Sequence, residues 1–132
     1  VTVEAPCSVG DLLDRITILR IKVRRCAPEQ SANVAGELGA LARLWATEEP
    51  EMAELARVNE ALWEVEDRLR VAEAAGSFGD AFIADARSVY RLNDRRAALK
   101  RALNLRLGST LIEEKVHPDY AAGPASGPTE AR

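Results

Sequence analysis

The chain has few residues from which a conventional reactive centre could be built. One histidine, His117, and two cysteines, Cys7 and Cys26, are all that 132 residues offer. With no second histidine and no close cysteine pair, zinc sites and histidine-dependent triads have no ligand or base set. The Glu-x-x-His pairs of a di-iron helical bundle are missing too, and there is no glycine-rich phosphate loop. No metal and no cofactor is expected. A helix between Cys7 and Cys26 holds them about 28 Å apart at ~1.5 Å per residue, beyond the ~7 Å reach of a disulfide. Free thiols fit a reducing cytoplasm, which is the expected location. Long hydrophobic runs are also missing, the longest being the four residues Ala81-Phe82-Ile83-Ala84. A membrane span needs roughly 20 apolar residues and a signal-peptide core about 7–15, so neither is expected. Charge of one sign is absent as well: 18 Lys and Arg stand against 21 Asp and Glu, a net charge of −3. That balance argues against a dedicated nucleic-acid binder.

The six prolines are Pro6, Pro28, Pro50, Pro118, Pro124 and Pro128. They mark off the stretches 7–27, 29–49 and 51–117, which are rich in Ala, Leu, Arg and Glu and show no β-type alternation. The sequence therefore predicts an all-α fold, an antiparallel four-helix bundle with helices over about 8–26, 29–46, 51–75 and 79–108. Ser8-Val9-Gly10-Asp11 resembles a capping box. Pro28 sits at a first-turn position. The turn Gly76-Ser77-Phe78-Gly79 separates the last two helices, and Gly108 ends the fourth. The inward stripes are Leu12, Ile16, Leu19 and Val23; Val34, Leu38, Leu41 and Trp45; Met52, Leu55, Leu62 and Leu69; and Phe82, Val89, Leu103 and Leu107. Trp45, Trp63, Phe78, Phe82 and Tyr90 are assigned to packing, and Tyr120 receives no role. One domain over 1–116 is expected, with a piece from Leu111 to Lys115 docking back and a disordered tail over 117–132.

Polar residues on the apolar side of the helices carry the functional signal. At ~100° per residue, Asn93, Lys100 and Asn104 fall within about 40° of Phe82 and Val89, with Arg96 at the edge of that face. Asn59, Trp63, Glu66 and Arg70 make a similar row on the third helix. The first helix adds Asp11, Arg15 and Lys22 around Ile18, and Asp14 between Ile18 and Ile21. Unpaired charge in a low-dielectric interior costs several kcal/mol, so these groups need partners or water. Two readings stay open. The rows close on one another as a structural network, for example Glu66 with Arg96 or Lys100, or Arg96 and Lys100 converge on a cavity that takes a small anion. The fourth helix also carries an outward basic ridge, Arg87, Arg91 and Arg95, opposite a mostly acidic third helix.

The run from Ser8 to Lys22, Ser-Val-Gly-Asp-Leu-Leu-Asp-Arg-Ile-Thr-Ile-Leu-Arg-Ile-Lys, resembles a small bacterial family of unknown function. The resemblance continues through Asn59–Arg68 and Ala86–Lys100 and ends near Glu113-Glu114-Lys115, covering about residues 4–117. It implies no activity. It does single out Asp14, Lys22, Asn59, Trp63, Glu66, Asp67, Asn93, Asp94, Arg96 and Lys100 as residues shared with the family pattern. Asp11 and Arg15 depart from it, where Glu and Lys are usual, and arginine at 15 speaks against proton-transfer chemistry there.

The candidate network or ligand-binding set is Asp14, Arg15, Lys22, Asn59, Glu66, Arg70, Asn93, Asp94, Arg96, Lys100 and Asn104. Without a nucleophile–base set, the first functional expectation is a non-enzymatic bundle that binds a protein partner or a small anion. The alternative is an electrostatic enzyme of chorismate-mutase-like architecture, with Arg15, Arg96 and Lys100 around an anionic metabolite. A monomer and a homodimer are both compatible with the pattern.

Overall fold

A computed structural model describes residues 1–120, so the expected disorder of 121–132 falls outside the described residues. The described residues are helical without any strand, in four α-helices: α1 (Val9–Arg25), α2 (Ser31–Ala42), α3 (Glu51–Ala75) and α4 (Asp80–Arg106). A single 3-10 turn, Pro28–Gln30, leads into α2.

Helix α1 is the hub of the arrangement. It packs against each of the other three helices, parallel to α3 and antiparallel to α4. A helix covered from several sides cannot be read from one stripe. Leu13, Ile16, Leu19 and Ile21 are all buried, whereas the expected stripe member Val23 is 47 % exposed. Leu13 and Ile16 join Met52, Leu55 and Leu103 in the main apolar cluster, against which Leu38, Leu41 and Trp45 lie half-buried.

Helices α3 and α4 form a long antiparallel hairpin. Gly76 closes α3 at a φ of 65°, a left-handed conformation that glycine adopts without penalty. There the Gly76 and Ser77 amides turn back onto the Glu73 and Ala72 carbonyls. The second helix ends at Ala42, four residues short of the expected 46, and has no buried residue. Trp45 lies beyond it and donates to Glu49 at 3.0 Å. Helix α4 ends at Arg106, two residues before the expected limit, with Gly108 at positive φ just after.

The aromatic residues depart furthest from expectation. None is buried, and Phe78 and Tyr90 are exposed. Phe78 packs edge-on against Phe82 at the hairpin tip, with ring centroids 5.2 Å apart. Leu69, Phe82, Val89 and Leu107 are likewise half-buried rather than core. From Ser109 onward the chain runs back along α4 as an irregular strap. The expected docking of Leu111–Lys115 occurs, without helix, and Tyr120 reaches the Tyr90 ring at 4.8 Å.

Candidate functional site

The polar residues of α1 and α4 meet where the two helices run closest. The spacing of Asp14, three residues after Asp11 on α1, places both carboxylates toward α4. The Asp14 carboxylate, 5 % exposed, receives the Arg96 guanidinium through Nε at 2.9 Å and through Nη2. Asn59 of α3 donates to the same carboxylate at 2.9 Å and to the Thr17 hydroxyl at 3.0 Å. Thr17 in turn donates to the Asp14 carbonyl at 2.7 Å. One buried acid thus ties three helices together.

Lys100 lies one turn along α4 from Arg96, with its side chain 13 % exposed. Its ammonium is 2.7 Å from Asp11, 3.3 Å from Glu113 of the strap and 3.9 Å from Asp14. Lys115 pairs with Glu113 from the other side. Three cations, Arg96, Lys100 and Lys115, therefore face three carboxylates. Burial works against the Lys100 charge. The Asp11 hydrogen bond and the fields of Asp14, Asp11 and Glu113 outweigh it and hold the Lys100 pKa above its ordinary value. The Asp14 hydrogen bond likewise raises Arg96. Burial would raise Asp11, but Lys100 holds its carboxyl below the usual range. Lys115 and Lys100 lower Glu113 against a smaller burial effect.

The start of α1 is locked by the same neighbours. A helix begins with amides that lack intrahelical acceptors. Here Ser109 Oγ accepts from Val9 at 3.1 Å, Asn104 Oδ1 from Gly10 at 2.6 Å, and Ser8 Oγ from Asp11 at 3.1 Å. Gly10 permits this approach: a Cβ there would stand 2.6 Å from the Lys100 carbonyl oxygen and 2.9 Å from Asn104 Oδ1. Asn104 is thus a cap for α1, supplied from the other end of the chain.

The remaining candidates lie outside this cluster. Arg15 is exposed and turns to Glu37 of α2 at 2.7 Å, so it does not join Arg96 and Lys100 around a common anion position. Lys22 is exposed. Glu66 and Arg70 are exposed at the rim of a cleft of about 490 Å³ between α1, α3 and α4, and do not supply the partners of Arg96 or Lys100. Asn93 is exposed between that cleft and a second cavity of about 690 Å³ under the strap. Asp94 lines the second cavity, 3.6 Å from the His117 ring.

Several partners escaped the periodicity argument. Thr17 is short enough to pass as helix filler, Glu113 sits in a stretch without periodicity, and Ser109 follows a helix stop. A separate cluster was also missed. Arg106 spans Glu49 and Glu51, 2.7 Å from each, and the buried Glu49 also accepts from Trp45. It joins the start of α3 to the end of α4, and Glu49 lies in a loop where helical spacing gives no signal.

Among the described residues no group of His, Cys, Asp and Glu could hold a metal ion, and no helix is long and apolar enough to cross a membrane. The structure defines an all-α protein of four helices whose first helix is fastened to the last by a charge-balanced cluster. The chain belongs to a family of unknown function, DUF6165, which it matches over residues 3–130. That match runs past the expected start of the tail at 117. No curated protein and no solved structure matches the chain.

Proposed function

We propose that this chain is a non-enzymatic interaction module in which the inward charges act as a structural clasp. One observation carries the reading: among the described residues, no buried side-chain nitrogen or oxygen lacks a hydrogen-bond partner. A site awaiting an anion would leave cationic donors unmatched, whereas Arg96, Lys100 and Lys115 are each met by a carboxylate of the same chain. Such a network fixes helix register and holds the strap in place. A cytoplasmic location belongs to the same reading, supported by the two free cysteines, of which Cys7 is exposed.

A second reading, a small-anion site, is favoured by the cavity of about 690 Å³ beside the clasp, where Arg96, Lys100, Lys115 and His117 all contribute to the lining. Lys100→Met separates the two in a thermal-shift assay. For a clasp, the substitution lowers stability by about 1–3 kcal/mol, because Asp11 and Asp14 lose a partner. The parent protein then shows no melting shift with a panel of dicarboxylates and phosphorylated metabolites. A rise of several degrees with one such anion, lost in Lys100→Met, would refute the clasp and establish the anion site.

A further inference from the structure

The α3–α4 hairpin outruns the helix that covers it. Helix α1 has 17 residues against 25 in α3 and 27 in α4. At ~1.5 Å per residue the hairpin is longer than α1 by about 12–15 Å. Past the cleft floored by Ile18 and Ile21, the face that α1 would have covered continues as an open groove over Leu69, Phe82 and Ala86. Exposed apolar side chains gather around the same tip: Val71 is 70 % exposed, Phe78 53 % and Ile83 51 %. An open apolar groove with further exposed apolar side chains near it marks an interaction site.

The rim of the groove points to its occupant. Glu66, Arg70 and Glu73 follow one another along α3 at spacings of four and three, on the face beside the groove, giving the order negative, positive, negative. Among the described residues none of the three forms an ion pair. Two such rims laid antiparallel and displaced by one helical turn set Arg70 of each copy beside Glu66 or Glu73 of the other. This reciprocity is what a two-fold axis requires, since every contact must occur twice with the roles exchanged. A foreign helix would have to match both the apolar floor and the alternating rim, whereas a second copy brings both.

We propose that the chain forms a two-fold dimer in which the exposed ends of two α3–α4 hairpins pack into one four-helix bundle. The proposal names a partner for the interaction module above, and so rests on that reading. Sedimentation equilibrium on the full chain tests it. The expected mass is twice 14.4 kDa at concentrations on the order of 10 µM. Arg70→Glu makes the rim wholly acidic and raises the dissociation constant at least about tenfold, with helicity unchanged. Arg70→Glu combined with Glu66→Arg and Glu73→Arg inverts every sign and restores the parent affinity to within about threefold. A chain of 14.4 kDa at every concentration overturns the proposal, as does a dimer indifferent to Arg70→Glu. For a monomer, hydrogen exchange names the other occupant: protection across Leu69–Phe82 assigns the groove to the chain's own terminus, and fast exchange leaves it to a foreign protein. Failure of the interaction-module reading shows separately, as a melting shift with a small anion.

Discussion

Replacing Asp14 by Asn gives a sharp test of the clasp. The substitution keeps size and one acceptor oxygen, so Asn59 can still donate, but it removes the charge opposite Arg96 and weakens the field at Lys100. Breaking a fully buried pair by removing one partner costs about 3–5 kcal/mol. Asp14 meets that condition at 5 % exposure, but the Arg96 side chain is 28 % exposed and can recover water. The expected loss is therefore about 2–4 kcal/mol. For a chain of this length each kcal/mol corresponds to about 4 °C, so the melting temperature should fall by roughly 8–16 °C. Urea unfolding followed by circular dichroism would give the same loss from the midpoint at an unchanged slope. Combining Asp14→Asn with Arg96→Gln closes a double-mutant cycle, with an expected coupling of about 1.5–3 kcal/mol. A loss below about 0.5 kcal/mol, or two substitutions that simply add, would refute the claim that this pair holds α1 to α4.

Two further outcomes follow from the same geometry. Gly10→Ala places a Cβ against the Lys100 carbonyl and should cost about 1–3 kcal/mol, whereas Gly36→Ala in α2, with nothing within 4 Å of its Cβ, should gain about 0.5–1 kcal/mol. Urea midpoints of the two variants against the parent check the contrast. The clasp's contribution should also vary with pH at both ends. Asp11 and Glu113 are depressed, so their share is complete above the ordinary carboxylate range and is lost as pH falls below about 4. Lys100 is raised, so its share is complete below about pH 10.4 and is lost as pH rises further. Lys100→Met should remove the alkaline loss and weaken the acid one, read as midpoint against pH.

Much of the helical framework was legible because proline and glycine punctuate the sequence and long helices repeat their apolar spacing. The polar row on α4 was legible for the same reason: Lys100 and Asn104 stood where leucine belonged, and both are enclosed. Other expectations failed where the environment of a face, rather than its direction, decides burial. Asn93 and Phe82 lie on the inward side of α4 by angle, but a cleft opens between α1 and α4 at Asn93, and Phe82 lies past the end of α1, so one is exposed and the other half-buried. The same logic offers Glu66 as one partner for Arg96 or Lys100 in a closed network, whereas Asp14, on a different helix, pairs with Arg96. Periodicity reports one helix at a time. It carries nothing about which neighbour is longer, nor about acceptors such as Ser109 and Glu113 that arrive on irregular chain.

The order in which these contacts can form follows from their separation along the chain. The groups that fasten α1 to α4 and the strap are 82 residues away at Arg96, 94 at Asn104 and 100 at Ser109. The contacts within the α3–α4 hairpin span far shorter loops, such as Arg68 to Asp85, 17 residues apart. Loop closure costs more as the loop lengthens, so the contacts within the hairpin can close early and those between α1 and α4 close late. During synthesis α1 emerges before α4 and must wait for these anchors. Until then the carboxylate of Asp14 lacks its Arg96 partner, and the apolar side of α1 that meets α4 stays uncovered.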